Sequence, residues 1–348
     1  MRALVPASAV VLAGLVFAAP ARPCSRVLWN DNGHSVVVGR NMDWFEDLKS
    51  NIWVLPRGAK RDGLAAENPL TWTSRYGSVA VTAYDSITAD GINEKGLAVH
   101  MLYLPETKTG PRDAKIPGLT ISLWPQYYLD NFATVKEAVA ALKTQPYQLL
   151  MAVEPSSGKA GTIHIALDDP TGDSAVLECI DGEIKVYHGR EHTVMTNQPT
   201  FDKQLENLRQ YRGFGGDKRL PGTHEPADRF VRGAYYVKNL PKPKSDREAV
   251  AAMMSVMRNV SAPFGVADPD RPNVSTTIWR TVTDLTNGVL YYDGVFSPQV
   301  FWVDTKKLKF DAGEPVRKLT VVGNFDLMGE ASGKFEKAEM FRFLGPQK

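Results

Sequence analysis

Short runs rich in β-branched and aromatic residues come in blocks along this chain, and stretches of helical period are grouped between the blocks. Strand character is read at 26–28, 34–38, 52–55, 78–84, 97–102, 162–166, 174–180 and 184–187, then again at 276–283, 289–292, 300–303 and 318–322. Helical periodicity is clearest at 121–129, 134–143, 200–211, 227–236 and 246–257. Asn30-Asp31-Asn32-Gly33 and Asp181-Gly182 mark hairpin turns. Strict βαβ alternation would call for a parallel sheet, whereas this ordering predicts an α+β layered body built on antiparallel sheets. No repeat, low-complexity tract or long linker divides the chain, and the Pro/Lys stretch 240–245 is too short for a boundary. Residues 24–348 are therefore expected to form one domain.

Lys and Arg number 41 against 39 Asp and Glu, a formal charge of +2 over 348 residues. Arg2 and Arg22 belong to the first 23 residues, so the remaining surface is close to neutral and nothing points to nucleic acid. Met1-Arg2 leads an almost wholly apolar, small-residue run to Ala21, and Ala19-Pro20-Ala21 fits a cleavage pattern. Residues 1–23 are thus expected to be a signal peptide with a short leader, removed on export to the periplasm or medium. The alternative is an anchor helix, but Pro6, Gly14 and Pro20 interrupt the run. No other stretch approaches the ~20 apolar residues a span needs, so no membrane insertion is expected after processing.

Two cysteines follow, Cys24 and Cys179. In an oxidising compartment a pair invites a disulfide. Cys24, however, would stand first in the processed chain, a poor place for a staple and a good one for a nucleophile, while Cys179 lies in an apolar run that reads as strand core. G-x-S-x-G, H-E-x-x-H and C-x-x-C are all absent. The six histidines are scattered, and Gly189 between His188 and His192 argues against a helical metal pair. No metal ligands and no organic cofactor are implied. Arg212-Gly213-Phe214-Gly215-Gly216 follows a helix and lacks the strand-before, helix-after context of a phosphate cradle. The sequons at Asn259 and Asn273 carry little weight.

An amide hydrolase needs a nucleophile, a base, an oxyanion site and a group that holds the base. If Cys24 becomes residue one, its own α-amino group can be the base. An α-amine has a pKa near ~7.7–8.0 and a thiol near ~8.5, so proton transfer between them is almost thermoneutral and no histidine is required. A hairpin starting at Cys24 would bring Gly39-Arg40-Asn41-Met42-Asp43-Trp44 back beside it. There a cation can favour the thiolate, and a carboxylate can orient the ammonium. The alternative is a surface Arg and Asp flanking a strand end.

In order along the chain stand Cys24, Arg40 to Asp43 with Asp-Trp, Asp90-Gly91-Ile92-Asn93-Glu94-Lys95-Gly96-Leu97, Thr196-Asn197-Gln198-Pro199, and Leu220-Pro221-Gly222 leading into Arg229-Phe230-Val231-Arg232. With these five motifs the chain resembles the choloylglycine hydrolase family, which holds bile salt hydrolases and penicillin V acylases, and within it the Gram-negative branch. The resemblance implies an N-terminal-nucleophile hydrolase fold, an αββα sandwich of two antiparallel sheets between helical layers. By position, Cys24 resembles the nucleophile, Arg40 and Asp43 its activating and orienting partners, Asn197 the oxyanion-hole asparagine, and Arg229 an arginine that anchors the site through charge-assisted hydrogen bonds. Without the resemblance, Asn197 reads as a turn residue and Arg229 as a helix-surface arginine.

Tyr103 stands where bile salt hydrolases commonly carry asparagine and penicillin V acylases look to have tyrosine. Its backbone N–H would complete the oxyanion hole with either side chain, so the change bears on specificity and leans to the acylase side. Trp44 and Trp124 could line an aromatic acyl pocket, although core packing is the commoner fate of tryptophan. The resemblance thus implies hydrolysis of a small-molecule linear amide with an apolar acyl group: penicillin V, a conjugated bile salt or an N-acyl homoserine lactone. A non-catalytic periplasmic binding protein is the remote alternative. The segment between Asn197 and Leu220 is shorter than the assembly arm of Gram-positive members, which leaves a homo-oligomer open. Cleavage after Ala21 would leave Arg22-Pro23 ahead of Cys24, so a further trimming step or a displaced cleavage site is needed.

Overall fold

The computed structural model describes residues 24–346 except 154, 156, 157, 159, 212–217 and 266–274. The expected leader, the glycine-rich 212–216 stretch and the Asn273 sequon lie outside the described residues. Two large sheets dominate. In the first the strands run in the order Val194–Thr196, Ser25–Trp29, Val37–Trp44, Thr276–Asp284, Val289–Gly294, Val300–Asp304 and Gly329–Glu330, antiparallel except for the last pair. In the second the order is Glu183–His188, Ser174–Ile180, Ile163–Asp168, Ala98–Tyr103, Ile87–Asn93, Ser78–Ala83, Ile52–Leu55, Arg317–Leu319 and Glu336–Lys337, antiparallel throughout.

Helices cover the two outer faces. α1 (Trp124–Asn131) and α2 (Val135–Thr144) lie on the second sheet, while α4 (Pro226–Asn239) and α5 (Asp246–Asn259) lie on the first, with α3 (Phe201–Leu208) beside α4. The result is the expected αββα sandwich. Strand alternation explains it: in Ile163–Asp168, Ile163, Ile165 and Leu167 join the core under α1 and α2, whereas Ala166 joins the core between the sheets. Gly39 lets α5 approach the first sheet, because a Cβ there would meet Met257 Cγ at 2.3 Å. None of the helices among the described residues is long and apolar enough to cross a membrane.

Local signals mostly decide the element ends. Thr134 Oγ1 accepts from Glu137 N while Glu137 Oε2 accepts from Ala133 N, so side chains satisfy donors at the start of α2. Ser245 caps α5 in the same way through Glu248 N. Asp181 (φ 50°) and Gly182 (φ 89°) make a two-residue hairpin turn with both φ values positive. Two expectations need correction. The first hairpin is looser than its turn residues suggest: β1 (Ser25–Trp29) and β2 (Val37–Trp44) are joined by residues 30–36. Asn32 ties that loop to itself, donating to Ser35 O and accepting from His34 N. Arg40 to Asp43 therefore lie within β2 and are buried, rather than on the surface at a strand end. The expected helix at 121–129 begins at Trp124 because Pro125 suits a first turn, and the strand Gly118–Thr120 precedes it.

The strand Ile87–Asn93 has no counterpart in the sequence reading, since Thr88, Asp90 and Asn93 break its apolar pattern. Those polar groups face buried partners. Asp90 Oδ1 accepts from His100 Nδ1 at 2.5 Å, and its Oδ2 accepts from Thr281 Oγ1 across the sandwich at 2.6 Å. His100 Nε2 lies 3.3 Å from Asp168 Oδ2, and Asp168 in turn takes both Nε and Nη2 of Arg26. A buried polar chain thus links the two sheets at β1. Burial holds the His100 imidazole below its ordinary value of 6.5, with the Asp90 carboxylate opposing that shift.

His100→Ala leaves Asp90 buried with one partner fewer and is expected to cost about 2–3 kcal/mol in urea unfolding at pH 7. In the parent chain this contribution is full above about pH 6.5, where folded and unfolded imidazoles are both neutral. It is lost as pH falls, because only the unfolded chain takes up the proton easily. A variant whose pH slope between 7 and 5 matches the parent contradicts this.

Candidate active site

Cys24 immediately precedes β1, buried to 2% exposure at the wall of a pocket. Antiparallel register sets Ser25 opposite Asn41 and Arg26 opposite Arg40, so β2 runs directly beside the cysteine. Its Sγ lies 3.6 Å from Asp43 O and 3.9 Å from Met42 Sδ. Alternation on β2 then divides labour. Arg40, Met42 and Trp44 line the pocket, while Asn41 faces α5 through Met257 O at 2.9 Å.

Arg229 on α4 is the organiser. It is fully buried, and its guanidinium donates to His224 O (2.9 Å), Cys24 O (2.7 Å), Ser25 Oγ and Asn197 Oδ1 (3.3 Å). Its Nη1 also stands 3.5 Å from Asp43 Oδ2. Burial draws its pKa down to about 10 even with Asp43 pulling the other way, so it remains charged near neutrality.

Asn197 follows the strand Val194–Thr196, and its amide orientation follows from its partners. Oδ1 accepts from Cys24 N and Arg229, and Nδ2 donates to Tyr103 O at 2.7 Å. The second Nδ2 hydrogen stays available. Gln204 of α3 holds the loop behind it by donating to Thr196 O, Asn197 O and Pro199 O. Sequence reasoning misses Gln204, because a polar residue on an amphipathic helix signals nothing by itself.

Asp43 is fully buried, and its carboxylate meets the Arg229 guanidinium at 3.5 Å and the Thr277 side chain. Burial pushes its carboxyl up to about 6, with Arg229 and Thr277 opposing that rise. Arg40 Nε and Nη1 are buried without partners among the described residues, while Nη2 donates to Met101 O at 2.6 Å. The guanidinium of Arg40 lies over the Trp279 ring, 4.6 Å from its centroid. Trp279 is a further residue that the sequence does not single out. Burial raises the Cys24 thiol above its ordinary value, and Arg40, the second largest influence, pulls it back.

The pocket is open to solvent on one side and mainly apolar, with Trp44, Leu48, Ile87, Met101 and Ile163 in its walls. Tyr103 lines it and meets Trp44 edge-on at 6.4 Å. Trp124 corrects the expectation made for it: it is fully buried under the second sheet, bonded to Tyr147 Oη at 2.7 Å, and does not line the pocket. Placed at the start of α1, its indole points into the helix–sheet core. Cys179 is also buried there and, like Cys24, is a free thiol. His188 pairs with Asp173 at 2.8 Å, and no group of three or more His, Cys, Asp or Glu among the described residues is placed to hold a metal ion.

The family described as linear amide C-N hydrolases, choloylglycine hydrolase family, matches residues 24–318. A penicillin V acylase of Pectobacterium atrosepticum is 41% identical, covering 92% of this chain and 92% of its own. The solved penicillin V acylase of Agrobacterium tumefaciens is 42% identical with a TM-score of 0.84, over 92% of this chain and 100% of its own. A bile salt hydrolase/transferase of Clostridium perfringens is 28% identical over 79% of this chain and 90% of its own.

With residues retained ahead of Cys24, both thiols are expected to titrate above the ordinary ~8.5, Cys179 at about 11. Iodoacetamide labelling against pH, read by peptide mass, measures both. A midpoint below 7 for either thiol contradicts these surroundings.

Proposed function

The chain belongs to the choloylglycine hydrolase family of linear amide C–N hydrolases, and we propose that it is a penicillin V acylase-like enzyme using Cys24 as an N-terminal nucleophile. Export and removal of residues 1–23 form part of the proposal, supported by the family match that starts at Cys24. The observation that carries it is the fully buried carboxylate of Asp43, which burial pushes up to about 6 although Arg229 and Thr277 oppose the rise, beside a cysteine at the wall of an apolar pocket. An α-ammonium freed at Cys24 would add a further donor to that carboxylate.

In the proposed reaction the α-amine takes the thiol proton and the thiolate attacks the amide carbonyl. Arg40 favours the thiolate through its charge, and Asp43 accepts a hydrogen bond from the ammonium. The free Nδ2 hydrogen of Asn197 and the Tyr103 N–H serve the oxyanion. The ammonium returns its proton to the leaving amine, and the amine then activates water to release the acid from sulfur. Arg229 touches no reacting atom. It positions Asn197, Asp43 and the Cys24 carbonyl together.

The acylase-like preference rests on the 41% identity and on Trp44 and Tyr103, whose aromatic surfaces suit an aryl-substituted acyl group. Asn197→Ala is expected to lower kcat about 10²–10³-fold with a smaller change in KM. A kcat within threefold of the parent would remove Asn197 from the oxyanion site. Release of phenoxyacetate from penicillin V is expected to exceed release of glycine or taurine from conjugated bile salts. The reverse order would replace the acylase reading with a bile salt hydrolase.

A further inference from the structure

The family match ends at Lys318, yet the pocket at Cys24 is completed by a residue well beyond it, Leu344. The chain's last described segment is strapped across the second sheet. Phe341 packs against Trp53 and Phe343 with centroids 5.0 and 4.8 Å apart, and Phe343 lies under the Arg61 guanidinium. Next, the backbone at Leu344 spans two separate walls of the pocket. Its N–H donates to Ser86 O at 3.2 Å, and its carbonyl accepts from Ser122 Oγ at 2.7 Å and Thr120 Oγ1 at 3.1 Å. Pro346 bridges to Ala152 just after it. Ile87, Ser122 and Ala152, each at or beside one of these anchors, line the same cavity.

Resting on the reading of this cavity as the acyl pocket, we infer that the C-terminal strap, through Leu344, closes it and sets the largest acyl group accepted. Three hydrogen bonds hold its backbone there, so the segment cannot swing aside without giving up part-buried polar contacts. A longer acyl chain must therefore displace the strap or be refused. The strap is separate in sequence from Cys24, Arg40, Asp43 and Asn197, so a substitution at Leu344 changes the pocket without replacing any of them.

The test measures kcat/KM for 4-nitroanilides with straight acyl chains from butanoyl to dodecanoyl, in the processed parent enzyme, Leu344→Ala, Leu344→Trp and Ser122→Ala. Leu344→Ala is expected to move the optimum to longer chains, raising the dodecanoyl-to-butanoyl ratio about tenfold or more. Leu344→Trp should move it to shorter chains, and Ser122→Ala, which removes one anchor, should follow Leu344→Ala more weakly. Thermal melts confirm that each variant folds, and the opposed Ala and Trp shifts keep the test informative if one does not. A parent without chain-length dependence overturns the acyl-pocket reading and the strap with it. A parent dependence that persists in both Leu344 variants overturns the strap alone.

Discussion

A buried carboxylate that burial holds against its charged form is the constraint around which the site is arranged. Asp43 sits inside a strand, fully buried, with Arg229 3.5 Å away as its ion-pair partner. A carboxyl moved from 3.8 to about 6 carries about 3 kcal/mol against its charged form. That stability is present below pH 3.8 and is lost as pH rises through about 6. At neutral pH the fold therefore holds a charge that Arg229 and Thr277 only partly offset, and an ammonium within reach would offset more of the cost. Buried groups left in this state are kept for chemistry or for a ligand.

The rest of the sandwich holds that charge in place. The Arg229 guanidinium joins α4 to β1, and Asn197 joins the end of the Val194–Thr196 strand to Tyr103 of the opposite sheet. Arg40 reaches across to Met101 O on that same strand. The Thr281–Asp90 and Arg26–Asp168 pairs fix the two sheets together one layer behind. Cys24 and Asn197 are held by the first sheet and Tyr103 by the second, so a change in sheet separation would part Tyr103 from the other two. The polar chain between the sheets opposes such a change.

Legibility in the sequence follows the range of the interaction. Cys24 and β2 form a hairpin, so turn residues and spacing alone place Arg40 and Asp43 beside the cysteine, although the loop is longer than its turn signal implies. The strands 52–55 and 174–180 and the starts of α2 and α5 are visible because period and caps are local. Asn197 and Arg229 are legible only through resemblance, since alone they look like a turn residue and a surface residue. Trp44 and Trp124 are the same residue type with opposite fates, decided by which face each element turns to the pocket. Gln204, Trp279 and Leu344 give no signal, because each acts on a partner that only the tertiary fold supplies.

Central to the proposed reaction is the nitrogen of Cys24 acting as the base for its own sulfur. The direct measurement compares single-turnover acylation by two forms of the chain, one beginning at Cys24 and one retaining Arg22-Pro23, with the same amide and at the same pH. Loss of the free amine is predicted to slow acylation about 10²–10⁴-fold, the usual weight of a positioned base. Equal rates in the two forms, with intact Arg22-Pro23 verified by mass after the reaction, would contradict it.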